Sequence, residues 1–190
     1  MLTSFSAALQ AVGPVPVADA QEFVAAWETR PVAEGEFLFR AGRICQELFF
    51  VQAGVVRIVA RSAQGKEITH SFRRDGHLCT LLASFEQQVP TPLSIQAACA
   101  ARVLAIGKAR LDQLCQQLPA VADRFRQLSQ QQLLEKLQVH RAYLGLDAAT
   151  RYQTFLARQP EIAGRVPQRL IASYLGITPQ SLSRLRRAVA

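Results

Sequence analysis

The sequence lacks the features that would assign it to a membrane, a secretory or a disulfide-rich class. The charge-free run 87–101 contains Gln, Pro, Ser and Thr, so it does not predict a transmembrane helix. Residues 1–18 lack the basic segment and the compact apolar segment of a secretory signal. The chain has four cysteines and no C-x-x-C pair: Cys45, Cys79, Cys99 and Cys115. We therefore expect a cytoplasmic protein with reduced, mostly buried thiols and no membrane partner.

The residue patterns of common enzymes are also missing. The sequence shows no Ser/His/Asp set, no paired carboxylates and no P-loop. Zinc sites need clustered ligands, and the closest approach to one is the pair His77 and Cys79. We therefore expect neither an enzyme nor a metal site.

Positive charge is concentrated in the last quarter of the chain. The 190 residues carry a net charge of +8. Residues 1–140 contribute +2, whereas residues 141–190 contribute +6, from eight arginines against Asp147 and Glu161. This asymmetry favours an anionic partner at the C-terminal end, either nucleic acid or an anionic membrane surface. The alternative is a basic protein whose charge serves only to keep it dissolved.

Short apolar runs and regularly spaced glycines predict an antiparallel β-structure in the first half. Residues 1–18 are interpreted as an irregular lead-in, and a short helix with a capping box at Asp19–Glu22 is expected to end at Pro31. Glycines then follow at positions 35, 42, 54, 65 and 76. Turn signals at this spacing favour a sandwich or barrel, with Gln64-Gly65 at the tip of a hairpin.

Helical periodicity replaces the glycines after residue 107. A short helix ends at Pro119, and the next 25 or so residues carry leucines at helical spacing without Gly or Pro. A helix of this length either packs on its own β-structure or pairs with a second copy. We favour a homodimer formed through the helix 119–144.

Residues 168–187 have the spacing of a helix-turn-helix unit. Ala172 provides a small residue at the close crossing of the two helices, and Gly176 tolerates the positive φ of the turn. Thr178 and Pro179 then suit the N-cap and the first position of a second helix. Gln and Arg on the outer face of that helix are the side chains that read adenine and guanine. The alternative is an ordinary helical hairpin with a solvated basic face.

These segments resemble the Crp/Fnr family of transcription regulators. The resemblance rests on 35-GEFL-38, 48-LFFVQAGVVR-57, 75-DG-76, 82-LASF-85, 94-SIQA-97 and 103-VLAI-106, and on 147-DAATRY-152 with the motif at 171–184. It implies an α+β fold: an antiparallel β-roll of the double-stranded β-helix or jelly-roll type, a long dimerisation helix and a C-terminal helix-turn-helix. The expected units are residues 1–118, 119–146 and 147–190, with no β-wing after the recognition helix.

The resemblance also assigns roles to residues of the C-terminal unit. Gln180, Ser183 and Arg184 fall at the positions that read bases, and Gln168, Arg169 and Thr178 at those that contact phosphate. Ser181, Arg186 and Arg187 complete the expected DNA-binding set, because hydroxyls at a helix N-terminus and arginines suit phosphate oxygens.

The effector pocket departs from the family pattern. A Gly-Glu pair and an Arg-Ser pair hold the ribose and the phosphate in true cyclic-nucleotide binders, but here they are replaced by Thr80-Leu81 and Thr91-Pro92. A phosphate buried without a cation is costly, so we expect no cAMP. We also expect neither an iron–sulfur cluster nor haem, although Cys79 with His70 or His77 makes haem conceivable. Any effector region should involve a set of five residues: Leu81, Ser84, Phe85, Thr91 and Ser94.

The sequence thus predicts a dimeric, sequence-specific DNA-binding transcription regulator with an inverted-repeat operator. Its DNA binding would be regulated by an effector other than a cyclic nucleotide, or would need no effector. RNA polymerase is a further candidate partner. The alternative function is a β-roll sensor of a small ligand whose C-terminal helices bind a protein.

Overall fold

The computed structural model of the protein describes residues 3–189 and shows an α+β fold, as predicted. Residues 1 and 190, the outer limits of the first and last predicted units, lie outside this range. The elements follow in chain order: α1 (Thr3–Ala11), α2 (Val17–Ala25), β1 (Glu28–Val32), β2 (Phe37–Phe39), β3 (Glu47–Ala53), β4 (Val55–Arg61), β5 (Glu67–Arg74), β6 (Leu78–Cys79), α3 (Leu82–Gln87), β7 (Leu93–Ala97), β8 (Ala101–Gly107), α4 (Lys108–Gln117), α5 (Pro119–Arg141), α6 (Ala148–Arg158), α7 (Pro160–Ala163), α8 (Gln168–Leu175) and α9 (Pro179–Val189).

The strands form two four-stranded antiparallel sheets that face each other as a β-roll. Their strand orders are β1-β8-β3-β6 and β2-β7-β4-β5. Alternate residues of β4, including Val56 and Ile58, enter the inner apolar cluster together with Phe49 and Val103 from the opposite sheet. The alternation of apolar residues therefore marks the inner face of β4, whereas the apolar residues of β5, Ile68 and Phe72, lie outside the inner cluster. The predicted hairpin tip is also present, since the amide of Gly65 donates to the carbonyl of Ser62 between β4 and β5.

The N-terminal residues are more ordered than the sequence predicts. Residues 3–11 form the helix α1, and the side chains of Phe5 and Leu9 are fully buried. The Phe5 ring stacks on Phe50 of β3 with 4.2 Å between ring centroids. The prediction of an irregular lead-in is wrong, because Phe5 and Leu9 lie one helical turn apart and cover the outside of the roll.

The predicted boundaries of the next helix are also wrong. Helix α2 begins at Val17 after Pro16, with no side-chain cap, and ends at Ala25. Pro31 lies inside β1 rather than at a helix end, and β1 is the edge strand of its sheet. An edge position tolerates proline, because the missing N–H is not needed on the unpaired side.

The long helix α5 changes its surroundings along its length. Its first half is packed against the outside of the roll through Val121 and Leu128. Its second half exposes Leu133, Leu134 and Leu137, which are 42%, 59% and 49% accessible. No helix within residues 3–189 has the length and hydropathy to cross a membrane.

Candidate nucleic-acid interface and effector region

Helices α8 and α9 form the predicted helix-turn-helix. Gly176 has a φ of 69° at the end of α8. The amide of Ile177 donates to the carbonyl of Ala172 at 3.0 Å, and the amide of Gly176 donates to Ser173. These two bonds close the helix in the Schellman arrangement and turn the chain toward α9. The glycine is required because a side chain would strain this backbone conformation.

The start of α9 is capped as the sequence predicts. The amide of Ser181 donates to Oγ1 of Thr178 at 3.1 Å, and Pro179 occupies the first helical position. Leu182 is 1% exposed and anchors α9 to the apolar cluster of the C-terminal helices. This anchor fixes which face of α9 points outward.

The outward face of α9 carries most of the predicted DNA-binding residues. Those with exposed side chains are Gln180, Ser183, Arg184, Arg186 and Arg187, whereas Ser181 is half-buried beside the cap. Within residues 3–189, none of the three arginines on this face has a carboxylate within ion-pair distance. We call the five exposed residues, Gln180, Ser183, Arg184, Arg186 and Arg187, the α9 face. Its arginines are free to meet an anionic partner.

The two predicted phosphate contacts on α8 lie in a different environment. Arg169 is exposed, and its Nη2 atom lies 3.7 Å from the carboxylate of Glu34 on the roll. Gln168 is half-buried, and its Oε1 atom is buried without a hydrogen-bond partner. The structure therefore places Arg169 near the roll, where it would exchange one anionic partner for another on binding phosphate.

The helix-turn-helix is docked on the roll of the same chain. Ser173 of α8 accepts a hydrogen bond from the amide of Thr69 and donates one to the carbonyl of Glu67, both at 3.0 Å. An ion pair between Arg165 and Asp75 adds a second connection, and it lowers the pKa of the Asp75 carboxyl against the opposing effect of burial. The first helix of the motif is therefore held by β5, which leaves α9 outermost.

The five residues of the predicted effector region do not form one cluster of available groups. Leu81 is buried in the inner cluster of the roll, whereas Phe85 belongs to the cluster beneath α1 and α2. Ser84 is 2% exposed, and its hydroxyl accepts from the amide of Cys45 and donates to the carbonyl of Val89. Its polar atoms are thus already used within the fold.

The other two hydroxyls of that set also pair with the backbone. Oγ1 of Thr91 accepts from the amide of Leu93 at 3.3 Å, and Oγ of Ser94 accepts from the amide of Ala41 at 2.9 Å. The side chain at position 91 is a threonine and carries no positive charge. The structure thus supplies these residues with internal roles, and their part in ligand binding stays a prediction.

Two arginines on the strands of the roll, Arg57 of β4 and Arg73 of β5, were not identified as functional or structural candidates from the sequence. Arg57 is 2% exposed and is bonded to side chains of neighbouring strands, and Arg73 lies on β5 near Lys136 of α5. Alternation could not have located Arg73 on the inner face, because the apolar residues of β5, Ile68 and Phe72, stand at the opposite phase. Cys79 is fully packed, and burial raises the pKa of its thiol to about 12.

Known proteins with similar sequences agree with this arrangement. Residues 29–118 match the cyclic nucleotide-binding domain. The transcriptional activator protein anr of Pseudomonas aeruginosa is 27% identical over 169 residues, which cover 82% of this chain and 68% of the relative. The transcriptional activator protein Anr of Pseudomonas protegens is 25% identical over the same shares of each chain. Over most of its length the chain is therefore similar to transcriptional activators, and over residues 29–118 to the cyclic nucleotide-binding domain.

Solved structures of transcription regulators have the same fold as this chain. The c-di-GMP responsive global regulator CLP from Xanthomonas campestris is 20% identical, with a TM-score of 0.74 over 92% of this chain and 91% of that chain. FixK2 from Bradyrhizobium japonicum is 20% identical, with a TM-score of 0.69 over 86% and 84% of the two chains. The likeness covers the roll and the C-terminal helices together.

Proposed function

We propose that this protein is a transcription regulator of the Crp/Fnr type and binds double-stranded DNA as a homodimer, with the α9 face in the major groove. The observation that carries the proposal is the α9 face itself: one side of α9 is anchored by buried Leu182, and the other presents exposed polar and basic side chains. A recognition helix needs this division between a packed side and a reading side. The net charge of +6 in residues 141–190 provides the complementary field for phosphate.

Residues of the α9 face and of the start of α9 have distinct chemical roles in this proposal. Gln180 can form a bidentate bond with adenine, and Arg184 with O6 and N7 of guanine. Arg186 and Arg187, in the last turn of α9, neutralise phosphates and supply affinity without sequence preference. Thr178 and Ser181, at the start of α9, lie where a phosphate oxygen would meet the helix N-terminus.

The second half of α5 supports the dimer. Leu133, Leu134 and Leu137 are exposed on a helix whose first half is packed, so an apolar strip continues beyond the roll. A second copy of α5 would cover this strip as in a coiled coil. Two α9 faces related by a twofold axis would enter major grooves about 34 Å apart, so the operator is an inverted repeat.

The proposed control does not use a cyclic nucleotide in the usual pose. Leu81 is buried in the apolar core where a ribose-binding carboxylate would be needed. Pro92 has no N–H to offer, and neighbouring Thr91 brings no positive charge. An effector of different chemistry, or none, fits the residues better.

Selection of bound duplexes from a random pool tests the DNA-binding proposal. The selected sequences should contain an inverted repeat with half-sites one helical turn apart. Arg184→Ala should weaken binding to the selected site by about 1–3 kcal/mol and relax the preference at one base pair. Arg110→Ala, at an exposed position of α4, is the matched control and should retain affinity. Failure to enrich any sequence, with capture of a protein by α8 and α9 instead, would favour the alternative function.

Sedimentation equilibrium tests the dimer. Leu134→Glu should convert the dimer to a monomer, because it places a charge in the apolar strip of both copies. Val17→Glu is the matched control, since Val17 is 61% exposed and Leu134 is 59% exposed. If Leu134→Glu sediments like the wild-type protein, α5 does not form the dimer.

A further inference from the structure

Helix α8 is held at the edge of a sheet of the roll. Strand β5 is the outermost strand of the sheet β2-β7-β4-β5, so its backbone groups that point away from β4 need other partners. The hydroxyl of Ser173 is one such partner, since it accepts from the amide of Thr69 and donates to the carbonyl of Glu67, both at 3.0 Å. Because both bonds go to the backbone of β5, they fix the position of α8 along the strand as well as its distance from the strand.

Arg57 of β4 supports the two residues that bind Ser173. Its Nη1 atom donates to Oγ1 of Thr69 at 2.9 Å, and its Nη2 atom contacts the carboxylate of Glu67. Hydrogen bonds that involve a charged group are stronger than neutral ones, and burial strengthens them further. The side chains of Glu67 and Thr69 are thus held by the roll, while their backbone groups hold α8.

The next residue of α8 connects this helix to the end of α5. The ring of Tyr174 lies 5.1 Å from the ring of Phe72 on β5 and 5.7 Å from that of Tyr143, measured between centroids. Nε2 of Gln159 donates to the hydroxyls of Tyr143 at 2.7 Å and Tyr174 at 3.3 Å. Since Tyr143 follows α5 by two residues, α8 is fixed relative to the roll and to the helix that we propose as the dimer contact.

The same contacts fix the position of α9. Leu182 of α9 and Phe72 of β5 belong to one apolar cluster, and they are 1% and 4% exposed. The parts of a close-packed cluster lose their contacts as soon as they separate. Helix α9 therefore cannot turn away from the roll unless this cluster opens and Ser173 loses both of its bonds.

The position of α9 relative to the dimer axis decides which operators fit. One base pair more between two half-sites moves them about 3.4 Å apart and turns one about 34° around the DNA axis relative to the other. A dimer with rigidly held α9 helices fits one spacing, because any other spacing requires deformed DNA or a displaced α9.

We propose that Ser173, by holding α8 on β5, determines which spacing between the half-sites of the operator the protein accepts. This inference rests on the proposed binding of an inverted repeat by a homodimer. The Ser173 hydroxyl is engaged with β5, so it acts on DNA only through α8, as a positioning residue. A duplex with another spacing is bound only when α8 leaves β5, and the two hydrogen bonds of Ser173 are then lost.

Affinity measurements on duplexes that differ only in the spacing of the selected half-sites test the proposal. The wild-type protein should bind one spacing best and duplexes one or two base pairs longer or shorter more weakly. Ser173→Ala should bind the preferred duplex like the wild-type protein but the other duplexes about fivefold more tightly, because less docking is lost on them. Ser129→Ala, whose hydroxyl bonds to Phe125 within α5, is the matched control and should keep the wild-type preference.

A variant that is merely less stable would bind every duplex more weakly, so the pattern across spacings separates positioning from folding. A preference in Ser173→Ala as steep as that of the wild type, or an equal change in affinity for all spacings, would overturn the role of Ser173. Sequence-specific binding by the wild-type protein without a preferred spacing would overturn it as well. If the wild-type protein binds no duplex specifically, the proposed function fails, and this inference fails with it.

Discussion

At the scale of single residues, Arg57 shows how a charge can be buried in the wall of the roll. It is 2% exposed on β4, and its Nε atom donates to Oε1 of Gln96 at 2.8 Å. Its Nη1 atom donates to Oγ1 of Thr69 at 2.9 Å, and its Nη2 atom contacts the carboxylate of Glu67. A buried cation is tolerated only when its donors are satisfied in this way.

Replacement of this arginine should therefore be costly. Arg57→Ala leaves Oε1 of Gln96 and the hydroxyl of Thr69 without their donor, and we expect the free energy of unfolding to fall by about 2–4 kcal/mol. Arg61→Ala is the control: Arg61 lies on the same strand, 3.9 Å from the same Glu67, but its side chain is 72% exposed. It should change stability by about 0.5 kcal/mol or less. Urea unfolding measures both, and equal losses would contradict this account of Arg57.

Single residues also separate what the sequence could predict from what it could not. Gly176 and Thr178 were predictable, because a positive φ and an N-cap each demand a particular residue type. Pro31 was not, because proline is compatible with a helix boundary and with an edge strand, and only the pairing partner decides. The partners of Arg57 lie 10 to 39 residues away in the chain, beyond the reach of any local pattern.

At the scale of elements, periodicity located most helices and strands but not their partners. The leucines of α5 predicted a long helix, which ends at Arg141, yet only the structure shows that its first half is packed and its second half exposed. Helix α1 was missed because its apolar face consists of two large residues, Phe5 and Leu9, among small ones. This face can be recognised only together with the aromatic residue of the roll that it covers, Phe50.

The contact between α5 and the turn before β6 should depend on pH. Burial lowers the pKa of His77, and the nearby Arg74 and Arg73 act in the same direction, whereas the carboxylate of Glu135 opposes them. The unfolded chain therefore binds the proton more tightly than the folded chain. Stability is fully present above pH about 6.5 and declines as the pH falls through the lower pKa of the folded state.

Unfolding of variants between pH 8 and pH 5 measures this effect. His77→Gln should lose less stability on acidification than the wild-type protein, because the titrating ring is gone. His70→Gln, at an exposed position of β5, serves as the control and should follow the wild-type curve. A His77→Gln curve parallel to the wild type would show that His77 does not contribute.

At the scale of the whole molecule, the helix-turn-helix and the roll are joined by contacts between distant residues. Ser173 and Thr69 are 104 positions apart, and no feature of either segment predicts that they meet. The aromatic rings of Phe72 and Tyr174 meet edge to face at the same contact, with 5.1 Å between centroids. The sequence predicted the roll and the helix-turn-helix, but only the structure shows the contacts between them.

Removal of the Ser173 hydroxyl should weaken the contact between the helix-turn-helix and the roll. Ser173→Ala leaves the amide of Thr69 without its acceptor, so we expect faster hydrogen exchange at Thr69 and a loss of about 1 kcal/mol in stability. Ser129→Ala is the control, because its hydroxyl bonds only to Phe125 within α5. Unchanged protection of the Thr69 amide in Ser173→Ala would contradict the described docking.

The measurement that tests the central proposal most directly is the affinity for duplex DNA as a function of salt concentration. With Arg186 and Arg187 on phosphates in both protomers, the logarithm of the binding constant should fall with the logarithm of salt with a slope of about −4 or steeper. Removal of both arginines should flatten the slope. A slope near zero for the wild-type protein would contradict the assignment of the α9 face to DNA.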